Sequence, residues 1–288
     1  MLKNISGARS LHHYKRLGKP LIPFLLAFVL LFTAVPVVLA SSTSLHSSSL
    51  LGPKKYYLAL GDSLAFGYQP DLNFDDGYTN DFFTDLETHG ARTAANLSCP
   101  GETSTTLING KCPDAFLRKF PYVGSQLNAA LAYLHVLRGQ VSPVTLDIGV
   151  NDLLSDINKS NCTINVANFS AHLATLDANL TQTILPKLQA ALTVNGIPAG
   201  DLVLMNYYDP YQDICPNTVP YVQLMNQHLA DDASSVGARI ADVFTAFGGA
   251  SNSHICTYTW MCSVFKDIHA RAKGYSVIAS AFEDELAY

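Results

Sequence analysis

The chain has 288 residues, 48% of them apolar and 14% charged, a globular balance that excludes a disordered chain and allows one large domain or two small ones. Five of the 18 basic residues (Lys3, Arg9, Lys15, Arg16, Lys19) and none of the 23 acidic ones fall in the first 40, so the remainder holds 13 bases against 23 acids, a net charge of −10. So acidic a remainder, with no basic stripe, argues against nucleic acid as a partner, because that binding rests on neutralising phosphates.

Residues 1–40 pass from basic to apolar (LIPFLLAFVLLFTAVPVVLA, 21–40) and end on Val38 and Ala40 before a Ser-rich stretch. That layout predicts a secretory signal cleaved after Ala40. The apolar run also approaches the length that spans a bilayer, so an uncleaved anchor is the alternative, and both readings put the rest of the chain outside the cytoplasm. Residues 41–53 read as a flexible linker. Residues 54–288 read as one domain, with no repeat, heptad pattern or further low-complexity break.

Within the domain, KYYLALGDS (55–63) is an apolar run ending in a turn, which suits a buried strand. Helical spacing of Phe82, Phe83 and Leu86 predicts a helix over 78–90, stopped by Gly90. A short strand and turn over 93–101 follows, then a helix over 125–139, a strand and loop over 142–152, and one or two helices in 165–195. Residues 201–210 read as a strand broken by Pro210, 222–234 as a helix, 238–244 as a strand and 271–287 as a closing helix. Alternation of this kind predicts an α/β domain on a parallel sheet, with any ligand at the carboxyl ends of the strands.

Six cysteines follow the leader: Cys99, Cys112, Cys162, Cys215, Cys256 and Cys262. An even number in an exported chain predicts three disulfides. Fifteen pairings are open; short loops favour Cys99–Cys112 and Cys256–Cys262, which leaves Cys162–Cys215. A metal site is the weaker reading, since there is no C-x-x-C pair and no His at ligand spacing.

The strand ends carry the chemistry. The first ends in Gly61-Asp62-Ser63-Leu64, which would put the Ser63 hydroxyl at the mouth of the sheet, near a helix start whose N–H groups can stabilise negative charge. The next ends in Cys99-Pro100-Gly101-Glu102-Thr103, where the Gly101 N–H can approach a substrate. The third ends in Gly149-Val150-Asn151-Asp152, with an amide donor on Asn151. Asp267-Ile268-His269 precedes the last helix, close enough in such a fold for His269 to reach over the sheet edge to Ser63. Taken singly, each is more often an ordinary turn or cap.

Together and in this order, G-D-S-L (61–64), Gly101, G-V-N-D (149–152) and D-I-H (267–269) resemble the SGNH hydrolases, also called GDSL esterases and lipases, over most of residues 55–288. The resemblance implies a three-layer α/β/α flavodoxin-like sandwich with a mainly parallel five-stranded sheet. It implies Ser63 as nucleophile, His269 as general base, and an oxyanion hole of the Ser63 N–H, the Gly101 N–H and the Asn151 side chain. It implies an acyl-enzyme, with no metal and no organic cofactor. One departure concerns the acid, which the family usually places three residues before the His. Lys266 stands there, and Asp267 is only two before, so either Asp267 or a backbone carbonyl orients the ring. Ala270 also replaces the family's frequent Pro.

Other residues read as structural. His254 suits a loop, and His135 and His228 suit helix surfaces or packing. Asp71, Asn73 and Asp75 lack the Gly and the twelfth-position acid of a calcium loop, and 69–77 reads as an acidic loop near the mouth of the site. Tyr207, Tyr208 and Tyr211 line an acyl pocket or pack in the core. The expectation is a secreted, monomeric carboxylic esterase or lipase acting on small-molecule or lipid esters, with membrane contact only through residues 21–40 if they are uncleaved. A carbohydrate acetyl esterase and a non-catalytic binder on the same fold are the rivals.

Overall fold

The computed structural model describes residues 50–288. The leader (1–40) and most of the Ser-rich stretch (41–49) lie outside the described residues. Just beyond them, Leu51 and Gly52 donate their N–H groups to the Asp201 carboxylate at 3.1 Å, so this end of the stretch is bonded to the domain.

Five strands form one sheet: β1 Tyr56–Gly61, β2 Thr93–Asn96, β3 Val141–Asp147, β4 Leu202–Met205 and β5 Arg239–Ala241. The order is β2-β1-β3-β4-β5 and every pairing is parallel. Burial follows position. All of β3 and β4, and β1 from Tyr57 onward, are buried, and β1 and β4 accordingly read as unbroken apolar runs, whereas the edge strands β2 and β5 are partly exposed. Pro143 has no N–H to give the ladder, and the β1–β3 register shifts beside it, from Tyr56 opposite Val141 to Leu58 opposite Val144.

The helices are α1 Ser63–Phe66, α2 Tyr78–Thr88, α3 Ser104–Asn109, α4 Gln126–Val136, α5 Val150–Leu153, α6 Val166–Asn179, α7 Leu185–Ala191, α8 Val219–Ser235, α9 Val243–Ala246, α10 Ile255–Tyr258 and α11 Ala272–Leu286. A π-helical turn, Leu180–Ile184, joins α6 to α7. The chain moves one way from β1 to β2 and the other way thereafter, and right-handed crossovers then require opposite faces. Accordingly α2 packs with α11, while α3, α4, α6, α7 and α8 pack among themselves. Tyr78, Phe82 and Leu86 form the buried stripe of α2, with Tyr78 and Phe82 against Phe282 of α11 at 5.1 and 5.6 Å between ring centres. Each such side chain contributes about 1.5–3 kcal/mol on burial. No helix among the described residues is long and apolar enough to cross a membrane.

Three disulfides are present, Cys99–Cys112, Cys162–Cys215 and Cys256–Cys262, the pairing that loop length favours. The direction in which strands are added changes between β1 and β3, and in a sheet of this order that switch point is where a crevice opens at the strand ends.

Candidate active site

Gly61 closes β1 with φ +140°, and a Cβ there would lie 1.4 Å from the Asp147 carboxylate of β3. Only glycine fits, and the chain turns directly into α1. Asp62 caps that helix by accepting the Leu64 N–H at 2.9 Å. Ser63 is the first helical residue, and its N–H is one of the first-turn donors that a helix leaves without an intrahelical partner.

His269 arrives from the other end of the chain. Its Nε2 lies 2.8 Å from Ser63 Oγ, and its Nδ1 lies 2.6 Å from Asp267 Oδ1. The same carboxylate oxygen accepts the His269 backbone N–H at 2.9 Å. This is an Asx turn, in which an Asp side chain bonds the backbone two residues on, and it folds the carboxylate back onto the ring of that residue. Of the two ways to orient the ring, the structure therefore has the carboxylate. Burial pushes the Asp267 carboxyl up, but the hydrogen bonds and charge of His269 outweigh it and the net shift is down.

The His-bearing loop is braced on several sides. Trp260 donates its backbone N–H to the His269 carbonyl at 3.0 Å, Thr259 bridges Ala270, and Cys256–Cys262 closes the turn just before it. The Tyr68 ring packs on the imidazole at 4.6 Å and Phe74 stacks on Tyr68 at 5.6 Å, which puts the 69–77 loop beside the site as expected. That loop is a series of exposed Asx turns: Asp71 accepts the Asn73 N–H and Asn73 the Asp75 N–H.

Gly101 and Asn151 come together on the same side. Gly101 has φ +77°, and a Cβ there would crowd Pro113 at 3.2 Å. The Asn151 amide donates to the Glu102 carbonyl at 3.0 Å and to Asp62 Oδ2 at 3.3 Å. Asp152 ties the two turns, accepting the Ser104 N–H at 2.9 Å and its hydroxyl at 2.6 Å.

Beneath the turn that carries Ser63 lie acidic and amide groups that patterning did not single out. Burial pushes Asp62 up to about 7, against the Leu64 N–H and the nearby His269. Burial also pushes Asp147 well above the carboxylate range, and Asp62 adds to it. Gln126 of α4 grips Gly61 from both sides, accepting its N–H at 2.6 Å and donating to its carbonyl at 2.9 Å, and also donates to Glu102 at 3.0 Å. The one signal for these residues was an acid at the end of a buried strand, as in ALGD and TLD. The rival histidines sit in other contacts: His228 meets Asp177 at 2.9 Å, His254 packs on Tyr258, and His135 is exposed. Cys99, Glu102 and Cys112 lie close together, but both sulfurs are spent in a disulfide.

The model of the GDSL-like Lipase/Acylhydrolase family matches residues 59–277. The chain belongs to this family. As a GDSL-family protein it is a carboxylic ester hydrolase. Its fold is similar to that of the lipase Lip_vut3 from a goat rumen metagenome (18% identity, TM-score 0.59, covering 80% of this chain and 96% of that one). It is also similar to Axe2, an acetylxylan esterase from Geobacillus stearothermophilus (17%, 0.52, 83% and 97%), and to an extracellular lipase from Streptomyces rimosus (17%, 0.51, 80% and 99%). None of the curated proteins compared with it matches the chain. At these identities the similar structures speak for the SGNH fold, and substrate has to be argued from the GDSL-family site itself.

Proposed function

We propose that the protein is an exported serine esterase that works through an acyl-enzyme on Ser63. The observation that carries this is the unbroken line Ser63 Oγ–His269–Asp267, with contacts of 2.8 and 2.6 Å. Asp267 holds the proton on Nδ1, so Nε2 is free to accept the Ser63 hydroxyl proton as Oγ attacks the ester carbonyl carbon. Charge moves to the carbonyl oxygen, where the Ser63 and Gly101 N–H groups and the Asn151 amide receive it. The longer Asn151 contact, to Asp62, is the one an incoming oxyanion replaces. His269 then passes its proton to the departing alcohol, and Asp267 stabilises the imidazolium in the interval. Water repeats the attack on the acyl-enzyme, losing its proton to Nε2, and the carboxylic acid leaves as that proton returns to Ser63 Oγ.

Three disulfides support an oxidising destination, and the opening 40 residues supply the address. The test is hydrolysis of p-nitrophenyl acetate, butyrate and octanoate by residues 41–288 and by Ser63→Ala and His269→Ala. Turnover falls by about 10⁴-fold or more in either variant. Activity close to that of the parent in either one refutes the assignment. Turnover confined to acetylated sugars would instead favour the carbohydrate esterase.

A further inference from the structure

Gln126, the first residue of α4, is buried, and its side-chain amide spends both protons and its oxygen on two turns of the site. β2 stops pairing at Asn96, opposite Ala59, so the ladder on that side of β1 has run out before Gly61. A side-chain amide carries the same donor and acceptor as a peptide group, and Gln126 gives both to Gly61 in place of a strand, at 2.6 and 2.9 Å. Its second amide proton goes to Glu102 Oε2 at 3.0 Å. Each residue it grips stands beside a donor proposed for the oxyanion. Gly61 is two residues before Ser63. Glu102 directly follows Gly101, and its backbone carbonyl receives the Asn151 amide at 3.0 Å. The acyl-transfer steps above make no use of Gln126.

We propose that Gln126 is the positioning residue of the oxyanion hole, a tie that sets the spacing of the Ser63 N–H, the Gly101 N–H and the Asn151 amide. The proposal rests on the acyl-enzyme reading above. Such donors act only where they already point at the place the oxyanion will occupy, and a displacement of about 1 Å can cost about a hundredfold in rate. The anchor itself is firm. Leu127, Ala130 and Leu134 of α4 are buried in the core, and Ser125 caps the helix by accepting the Asn128 N–H at 3.2 Å. Gln126 is not among the side chains that line the hollow at Ser63. Its loss therefore leaves the contacts that bind an ester in place and falls on the step in which charge develops.

The experiment measures kcat and KM for p-nitrophenyl butyrate, and Ki for butylboronic acid, in the parent, Gln126→Met, Gln126→Glu and the double variant Glu102→Gln/Gln126→Glu. The boronic acid bonds its boron to Ser63 Oγ as the hydroxyl proton passes to His269, and the boronate anion so formed puts an oxygen where the oxyanion of the ester would stand. Gln126→Met lowers kcat about a hundredfold with KM within about threefold, and raises Ki about as much as kcat falls. Gln126→Glu sets two carboxyls against each other. The double variant restores a donor and an acceptor to that contact and recovers about tenfold or more of the lost kcat. A kcat within about threefold of the parent in Gln126→Met, a loss confined to KM, or a fall in kcat with Ki unchanged overturns the proposal. Should Gln126→Met fail to fold by circular dichroism, the double variant decides, and no recovery overturns the proposal. Should the parent turn over no ester, amide hydrogen exchange decides separately at Leu64 and Glu102, whose N–H groups are bonded within the two turns to Asp62 and Cys99. Exchange about tenfold faster at both in either Gln126 variant, with Val203 and Leu204 of β4 unchanged, upholds the tie while the ester-hydrolase reading falls, and unchanged exchange overturns both.

Discussion

Asp267 is two residues from His269, and at that spacing its carboxylate does two jobs with one oxygen, bonding the backbone N–H and the ring N–H of the same residue. Lys266, at φ +47°, turns the chain immediately before it. Replacing the acid by an amide puts a donor where Nδ1–H needs an acceptor. Asp267→Asn should therefore lower kcat by about a thousandfold or more, with KM little changed. A loss below tenfold in steady-state kinetics would show that something else orients the ring. Asn151→Ala should lower kcat about a hundredfold or more, the usual cost of one oxyanion donor, and a change confined to KM would contradict that role. Ser63, Gly101, Asn151 and His269 were readable as candidates because each stands at or in a turn near a strand or helix end, where sequence order and fold agree. Gln126 was not, because nothing in the local pattern of a helix says that its first residue will reach across to hold Gly61.

Between α10 and α11 the chain is short, irregular and stapled. Cys256–Cys262 closes a separation of 6 residues, and Cys162–Cys215 one of 53. By loop-closure entropy the first is worth about 2 kcal/mol and the second about 4. Their effects on activity should rank the other way. Cys256→Ser/Cys262→Ser loosens the loop that aims His269 and should reduce kcat more than Cys162→Ser/Cys215→Ser, while costing less stability in urea unfolding. Parallel losses of stability and kcat in both double variants would mean that the short staple has no special hold on the base. Element types were legible from periodicity and from Gly and Pro punctuation, whereas their ends were not: the strand read over 201–210 stops at Met205, and 238–244 divides into β5 and α9. In both places apolar character continues beyond the ladder, and alternation in sequence does not record where a neighbouring strand stops pairing.

Across the whole molecule, raised carboxyls outweigh lowered ones. Burial pushes Asp62 up to about 7 and Asp232 to about 6, and Asp147 well above the ordinary range. Such groups bind protons more tightly folded than unfolded. The stability they contribute is present in full below the unfolded carboxylate range near ~3.9 and is lost as pH rises through about 6–7. Asp267 and Asp242 are shifted down, so their contribution is held above that range and lost as pH falls below it. The protein should accordingly be more stable to urea at pH 5 than at pH 8, with the gap narrowed in Asp62→Asn. Equal or greater stability at pH 8 would contradict these shifts. The α/β architecture was legible from the alternation of elements, but this acidic underlay was not, since it arises only when β1 and β3 are placed side by side.

Ser63 and His269 are 206 residues apart, one following the first strand and the other just ahead of the last helix. A growing polypeptide therefore carries Ser63 for 206 residues before it acquires His269, the base of the reading proposed above. On that reading, any fragment that stops short of the loop carrying His269 has a hydroxyl with nothing to activate it, so translation itself acts as a safety catch on the pair.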